Sequence, residues 1–100
     1  MQLLWTWEGN FFGYREEDAL WTHDGRHVGW FQGVEVYSIK GIYLGEIESE
    51  NRLITRQHKK HLKAPVFAAY ANRAGIARYV NYVGYAMYAG CEDFPLPENL

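Results

Sequence analysis

The densest concentration of chemically capable side chains is the run from Arg52 to Lys63. There Arg52, Arg56, Lys59, Lys60 and Lys63 supply five fixed positive charges, His58 and His61 lie among them, and no acidic residue intervenes. Such a run could engage phosphates, with Tyr or Trp rings offering stacking surfaces for bases. It could equally be a solvated turn whose charges offset Glu46, Glu48 and Glu50 just upstream. The second reading is preferred, because the chain carries a net charge of -2 and no glycine-rich loop for cradling a phosphate accompanies the run. Binding of a nucleic acid or another anionic partner is the alternative.

The other reactive groups form no working set. His23 and His27 have a His-Asp-x-x-His spacing that suggests metal ligation. Placed about a hairpin turn at Asp24-Gly25, however, they emerge on opposite faces, so no shared ion is expected. Glu16, Glu17 and Asp18 fall in a turn, and the remaining acids are dispersed. Cys91 is the only cysteine and can form no internal disulfide. No catalytic residue, cofactor or metal is therefore expected, and an enzyme is the weakest class. The start, Met1 to Gly9, lacks the charged and apolar regions of a secretory signal, so the expected location is the cytoplasm. Residues 64 to 91 carry only Arg73 and Arg78 as charges, yet these and Asn72 and Asn81 would be costly within a bilayer, so a buried or interfacial segment is expected.

The elements that position these groups follow a sixteen-residue spacing. Gly9, Gly25 and Gly41 are each followed four residues later by Gly13, Gly29 and Gly45, and preceded four residues earlier by Trp5, Trp21 and Tyr37. Leu4, Leu20 and Val36 stand before those rings; Thr6, Thr22 and Ser38 stand after them. Each unit reads as a hairpin with a two-residue turn at Glu8-Gly9, Asp24-Gly25 or Lys40-Gly41. The units are joined by polar turns at residues 15–18, 32–33 and 49–51. This register pairs Thr22 with His27 and Trp21 with Val28. It makes Trp5, Trp7, Phe12, Tyr37, Ile39, Ile42 and Leu44 the core face, and leaves Leu4, Leu20 and Val36 opposite the second glycines on the other face. A fourth unit begins at Leu53-Ile54-Thr55 but has His58 and Leu62 where the glycines should be.

The stretches Leu20 to Phe31 and Val36 to Gly45 resemble the 4-fold β-flower proteins, small bacterial domains whose hairpins are arranged like petals about a pseudo-fourfold axis. The resemblance covers residues 3 to 51 well and 52 to 63 poorly, and it implies no activity. The expected fold is mainly β: a meander of 16-residue hairpin repeats in a flower-like arrangement, with a short C-terminal helix and room for an extra strand. Residues 1–100 form one domain, with hairpins over 3–63, an apolar tail over 64–90 and a loose end over 91–100. Pro65 and the Ala-rich run after it predict a helix to Ala74, and Tyr79 to Tyr85 predict an extended segment. The functional expectation is a non-catalytic interaction or structural module, partnered by another protein or by a second copy of itself.

Overall fold

A computed structural model describes all 100 residues. Its strands are β1 (Gln2–Thr6), β2 (Phe11–Glu16), β3 (Ala19–Thr22), β4 (His27–Gln32), β5 (Glu35–Ser38), β6 (Tyr43–Glu48), β7 (Arg52–Arg56) and β8 (Cys91–Asp93). Each pairs antiparallel with the next. β7 divides its second edge: Arg52 and Leu53 pair parallel with Trp5 and Thr6 of β1, while Ile54, Thr55 and Arg56 pair with β8. The first seven strands thus close into a barrel, with β8 as an eighth strand beside β7. No helix is long and apolar enough to cross a membrane.

The hairpins β1–β2, β3–β4 and β5–β6 share one hydrogen-bond pattern, and it corrects the two-residue turns. The amides of Thr6, Thr22 and Ser38 donate to the carbonyls of Asn10, Arg26 and Ile42 at 2.8–2.9 Å, so each loop has three residues, with glycine last. Those glycines have φ of +96°, +88° and +80°. This is a three-residue hairpin loop ending in a glycine bulge. The Thr and Ser hydroxyls complete it by accepting the amides of Asn10, Arg26 and Ile42 at 3.1–3.2 Å, which gives that column its physical reason.

The bulge also corrects the faces. Leu4, Leu20 and Val36 do oppose Gly13, Gly29 and Gly45, but the register then slips, so that Trp5 opposes Phe11, Trp21 opposes His27 and Tyr37 opposes Tyr43. The barrel interior is the aliphatic face: Leu4, Leu20, Val36 and Leu53 pack with Phe12, Phe31 and Phe94, and Val28 and Leu44 lie against them. So narrow a barrel is filled by side chains, and a Cβ on Gly45 would strike the Phe94 ring and the Ile54 carbonyl. The aromatic column expected to be the core faces outward, and Ile39 and Ile42 are exposed.

The last third of the chain departs further from expectation. No helix forms over 65–74 and no strand over 79–85; the amides of Phe67, Arg73, Tyr82 and Tyr85 bond to carbonyls of the barrel's hairpin loops instead of to the segment's own. An isolated helical run of that length is marginal in water and yields to such docking. Residues 91–100 are not a loose end: β8 lies within them, Phe94 is buried in the barrel, and Arg26 donates to the carbonyls of Pro97 and Leu100, both at 2.7 Å. β7 and β8 are accordingly a hairpin whose connection runs from Gln57 to Gly90.

Candidate interaction surface

That connection is a strap crossing the three hairpin loops in reverse order. Ala64, Arg73 and Tyr82 donate their amides to the carbonyls of Gly41, Gly25 and Gly9 at 2.8, 2.8 and 2.9 Å. Three residues after each, Phe67, Ile76 and Tyr85 donate to Ile39, His23 and Trp7 at 3.1, 2.8 and 3.1 Å. The strap therefore advances nine residues for every sixteen of the barrel. Its sequence has the same period: Ala68, Ala77 and Ala86 form one column, and Tyr70, Tyr79 and Tyr88 another. The loop glycines serve both partners. A Cβ on Gly9, Gly25 or Gly41 would collide with the carbonyl of Tyr82, Arg73 or Ala64 respectively.

Between barrel and strap lies an aromatic layer. Trp5, Trp7, Trp21 and Tyr37 point away from the barrel axis yet are buried. Tyr82 stacks on Trp5 with ring centroids 4.0 Å apart, and Tyr85 and Tyr88 flank Trp7 at 4.9 and 5.1 Å. The Arg73 guanidinium sits 3.9 Å over the Trp21 ring, where Tyr82 sits over Trp5 in the neighbouring hairpin. The indoles of Trp5 and Trp7 donate to the strap carbonyls of Val80 and Ala86 at 2.9 and 3.0 Å. Arg52, expected in a solvent-facing basic run, is buried here: it donates to the carbonyls of Trp7 and Val83 and lies 4.1 Å over the Tyr85 ring.

His27 is buried in the same layer, against Trp21, Tyr70 and Phe67. Its Nε2 lies 2.9 Å from the Gly29 carbonyl and its Nδ1 accepts the Tyr70 amide at 3.0 Å, an arrangement that requires the neutral ring. Burial pushes its pKa below the ordinary histidine value of 6.5, and the Arg73 charge adds to this, against the Gly29 contact. The unfolded chain takes up the proton first, so the stability due to this ring is whole above about pH 6.5 and is lost as pH falls toward the folded value. Lowering pH from about 7.5 to about 5.5 should therefore depress the melting temperature more in the wild type than in His27→Phe, whose ring matches Phe11 in the first hairpin. Equal slopes in calorimetric melts would show that His27 takes up its proton as readily in the folded protein as in the unfolded chain. His23, by contrast, is a loop residue apart from His27, and no group of three His, Cys, Asp or Glu is arranged to hold a metal ion.

Three more residues of the basic run are spent on carboxylates. Lys59 bonds Glu35 at 2.8 Å and Glu46 at 2.9 Å; Arg56 bonds Glu46 at 3.0 Å and also Glu48; Lys60 pairs with Glu92. Burial pushes the Glu46 carboxyl up, but hydrogen bonds from Lys59, Arg56 and Tyr43 outweigh it and hold the group below the usual carboxylate range. The two carboxylates hold the Lys59 ammonium well above the ordinary lysine value. His58, His61 and Lys63 are exposed. The seven residues of the run are thus divided among a buried anchor, ion pairs to carboxylates on β5, β6 and β8, and open surface.

The segment over 64 to 91, expected to be buried or interfacial, carries most of the exposed apolar side chains on its outer surface. Of the 13 large hydrophobic side chains exposed in the structure, Val66, Tyr70, Tyr79, Val80, Tyr82, Val83, Tyr85, Met87 and Tyr88 all belong to it. Compared with known proteins, the chain matches no protein-family model, no curated protein and no solved structure.

Proposed function

We propose that this protein is a non-catalytic interaction module whose contact surface is the strap, and that the first partner of that surface is a second copy of the chain. The observation that carries this reading is the exposed Tyr and Val row on a segment with only two charges. Contiguous exposed apolar surface of this kind marks association sites, and Tyr gives large contact area at low conformational cost. The pairing of Arg56, Lys59 and Lys60 with carboxylates favours the strap over the basic run as the binding surface. The free thiol of Cys91 suits a reducing cytoplasm. The family reading is a 4-fold β-flower arrangement, with β7–β8 as a fourth petal whose turn has expanded into the strap. Three hairpins with one hydrogen-bond pattern support it, as does Leu53 beside Leu4, Leu20 and Val36 in the interior.

Val80 and Val83 test the proposal cleanly, being 80% and 87% exposed. Sedimentation of the wild type should show a dimer or larger species dissociating on dilution. Val80→Glu/Val83→Glu should be monomeric and melt like the wild type when both are dilute. A wild type that stays monomeric as concentration rises would overturn self-association.

A further inference from the structure

We propose that the hollow between β4 and the strap, walled by Trp30, Phe67 and Tyr70, is a binding site for an alkylated ammonium group such as a quaternary amine. The hollow has a volume of about 340 Å³, and Gln32 and Pro65 complete its rim. That is within the range of small-ligand sites. The Phe67 and Tyr70 rings lie 5.7 and 6.3 Å from Trp30 and are inclined to it by 53° and 58°. They stand as walls around a space instead of stacking on one another. An aromatic face carries negative potential, and several faces turned on one hollow are the arrangement that holds a weakly hydrated organic cation.

The surroundings strengthen this. No charged side chain lines the hollow, and His27 behind it is held neutral by its bonds to Gly29 and Tyr70. Across the Trp30–Tyr70 pair lies a second hollow of about 220 Å³, lined by Glu16, Glu17 and Asp18. Arg73 pairs with Glu16 and Arg15 with Asp18, each within 3.1 Å, whereas the Glu17 carboxylate has no ion-pair partner. Trp21 also lines this second hollow, and its buried indole N–H, unlike those of Trp5 and Trp7, has no acceptor. A ligand that carries its cation on a chain with a carbonyl would offer that N–H an acceptor. A plain lysine ammonium suits the first hollow poorly, because its three donors need acceptors and the only lining side chains that offer one are Gln32 and Tyr70. Alkylation removes that need.

The test is titration of the intact protein with choline and with its neutral isostere 3,3-dimethyl-1-butanol, followed by nuclear magnetic resonance at the Trp indoles. Choline should shift the Trp30 resonance saturably and bind about tenfold more tightly than the isostere, the factor a partly desolvated cation–π contact supplies. Trp30→Ala should abolish the response; so should Gln32→Lys, which adds a cation at the exposed rim and leaves the packing intact. A trimethyllysine peptide binding more tightly than choline would identify a chain-borne source, and the reverse order a free amine. Equal affinity for the isostere, undiminished binding in Gln32→Lys, or no saturable shift at roughly 50 mM choline would overturn the assignment.

Discussion

Gly25→Ala should lower the melting temperature far more than Gly33→Ala. Both glycines adopt left-handed φ, +88° and +64°, so each substitution incurs the strain of a side chain in that region, about 1–2 kcal/mol. They differ in what surrounds them. Around Gly33 nothing lies within 4 Å of the added Cβ, whereas at Gly25 the methyl group would strike the Arg73 carbonyl, which is backbone and cannot swing aside. Overpacking of that kind adds about 1–3 kcal/mol. The total for Gly25→Ala, about 2–5 kcal/mol, corresponds to a fall on the order of 10–30 °C for a chain of this size. Comparable melts for the two variants would mean that the strap does not press on the loop.

The second large effect is at Arg52, a 4% exposed guanidinium that pairs with no carboxylate. It joins strap to barrel through one carbonyl on each, Trp7 at 3.1 Å and Val83 at 2.9 Å, between the Tyr82 and Tyr85 rings. Arg52→Ala removes two charge-assisted bonds and leaves a void, at about 3–5 kcal/mol. Arg52→Met should be milder, because it fills the volume and lifts the cost of keeping a charge from water. Denaturant unfolding will rank the variants. Limited proteolysis should cut the Ala variant within 64–90 well before the barrel, and a Met variant no more stable than Ala would show that Arg52 acts through its two hydrogen bonds and not through the volume it fills.

The three hairpins were largely legible in the letters, though the closure of their strands into a barrel was not, and the reasons are local. Gly9, Gly25 and Gly41 mark loops needing left-handed φ, the Thr and Ser column marks the hydroxyls that close them, and the intervening runs have strand length. The inside of the barrel was not legible. Both faces of each hairpin are apolar, one aliphatic and one aromatic, so alternation by two could not say which faced inward, and the bulge moved Phe12, Val28 and Leu44 by one position. The strap was legible in principle through the ninefold spacing of Tyr70, Tyr79 and Tyr88. That spacing was obscured by alanines that favour helix in isolation, and its meaning depends on the sixteenfold spacing it matches. β8 was beyond reach: three residues, Cys91 to Asp93, find their partner strand across the whole strap.

Because the strap is fastened at β7 and again at β8, any one of its contacts that opens leaves the detached residues hovering over their own docking site. Recapture is then intramolecular, at an effective concentration on the order of millimolar. A soluble peptide of the same sequence, present at micromolar levels, would compete about a thousandfold less well for the indoles beneath. Mutation of the tether can expose those indoles, whereas mass action by an outside competitor scarcely can, so the aromatic layer is insulated from exchange while the strap's outer side chains stay accessible.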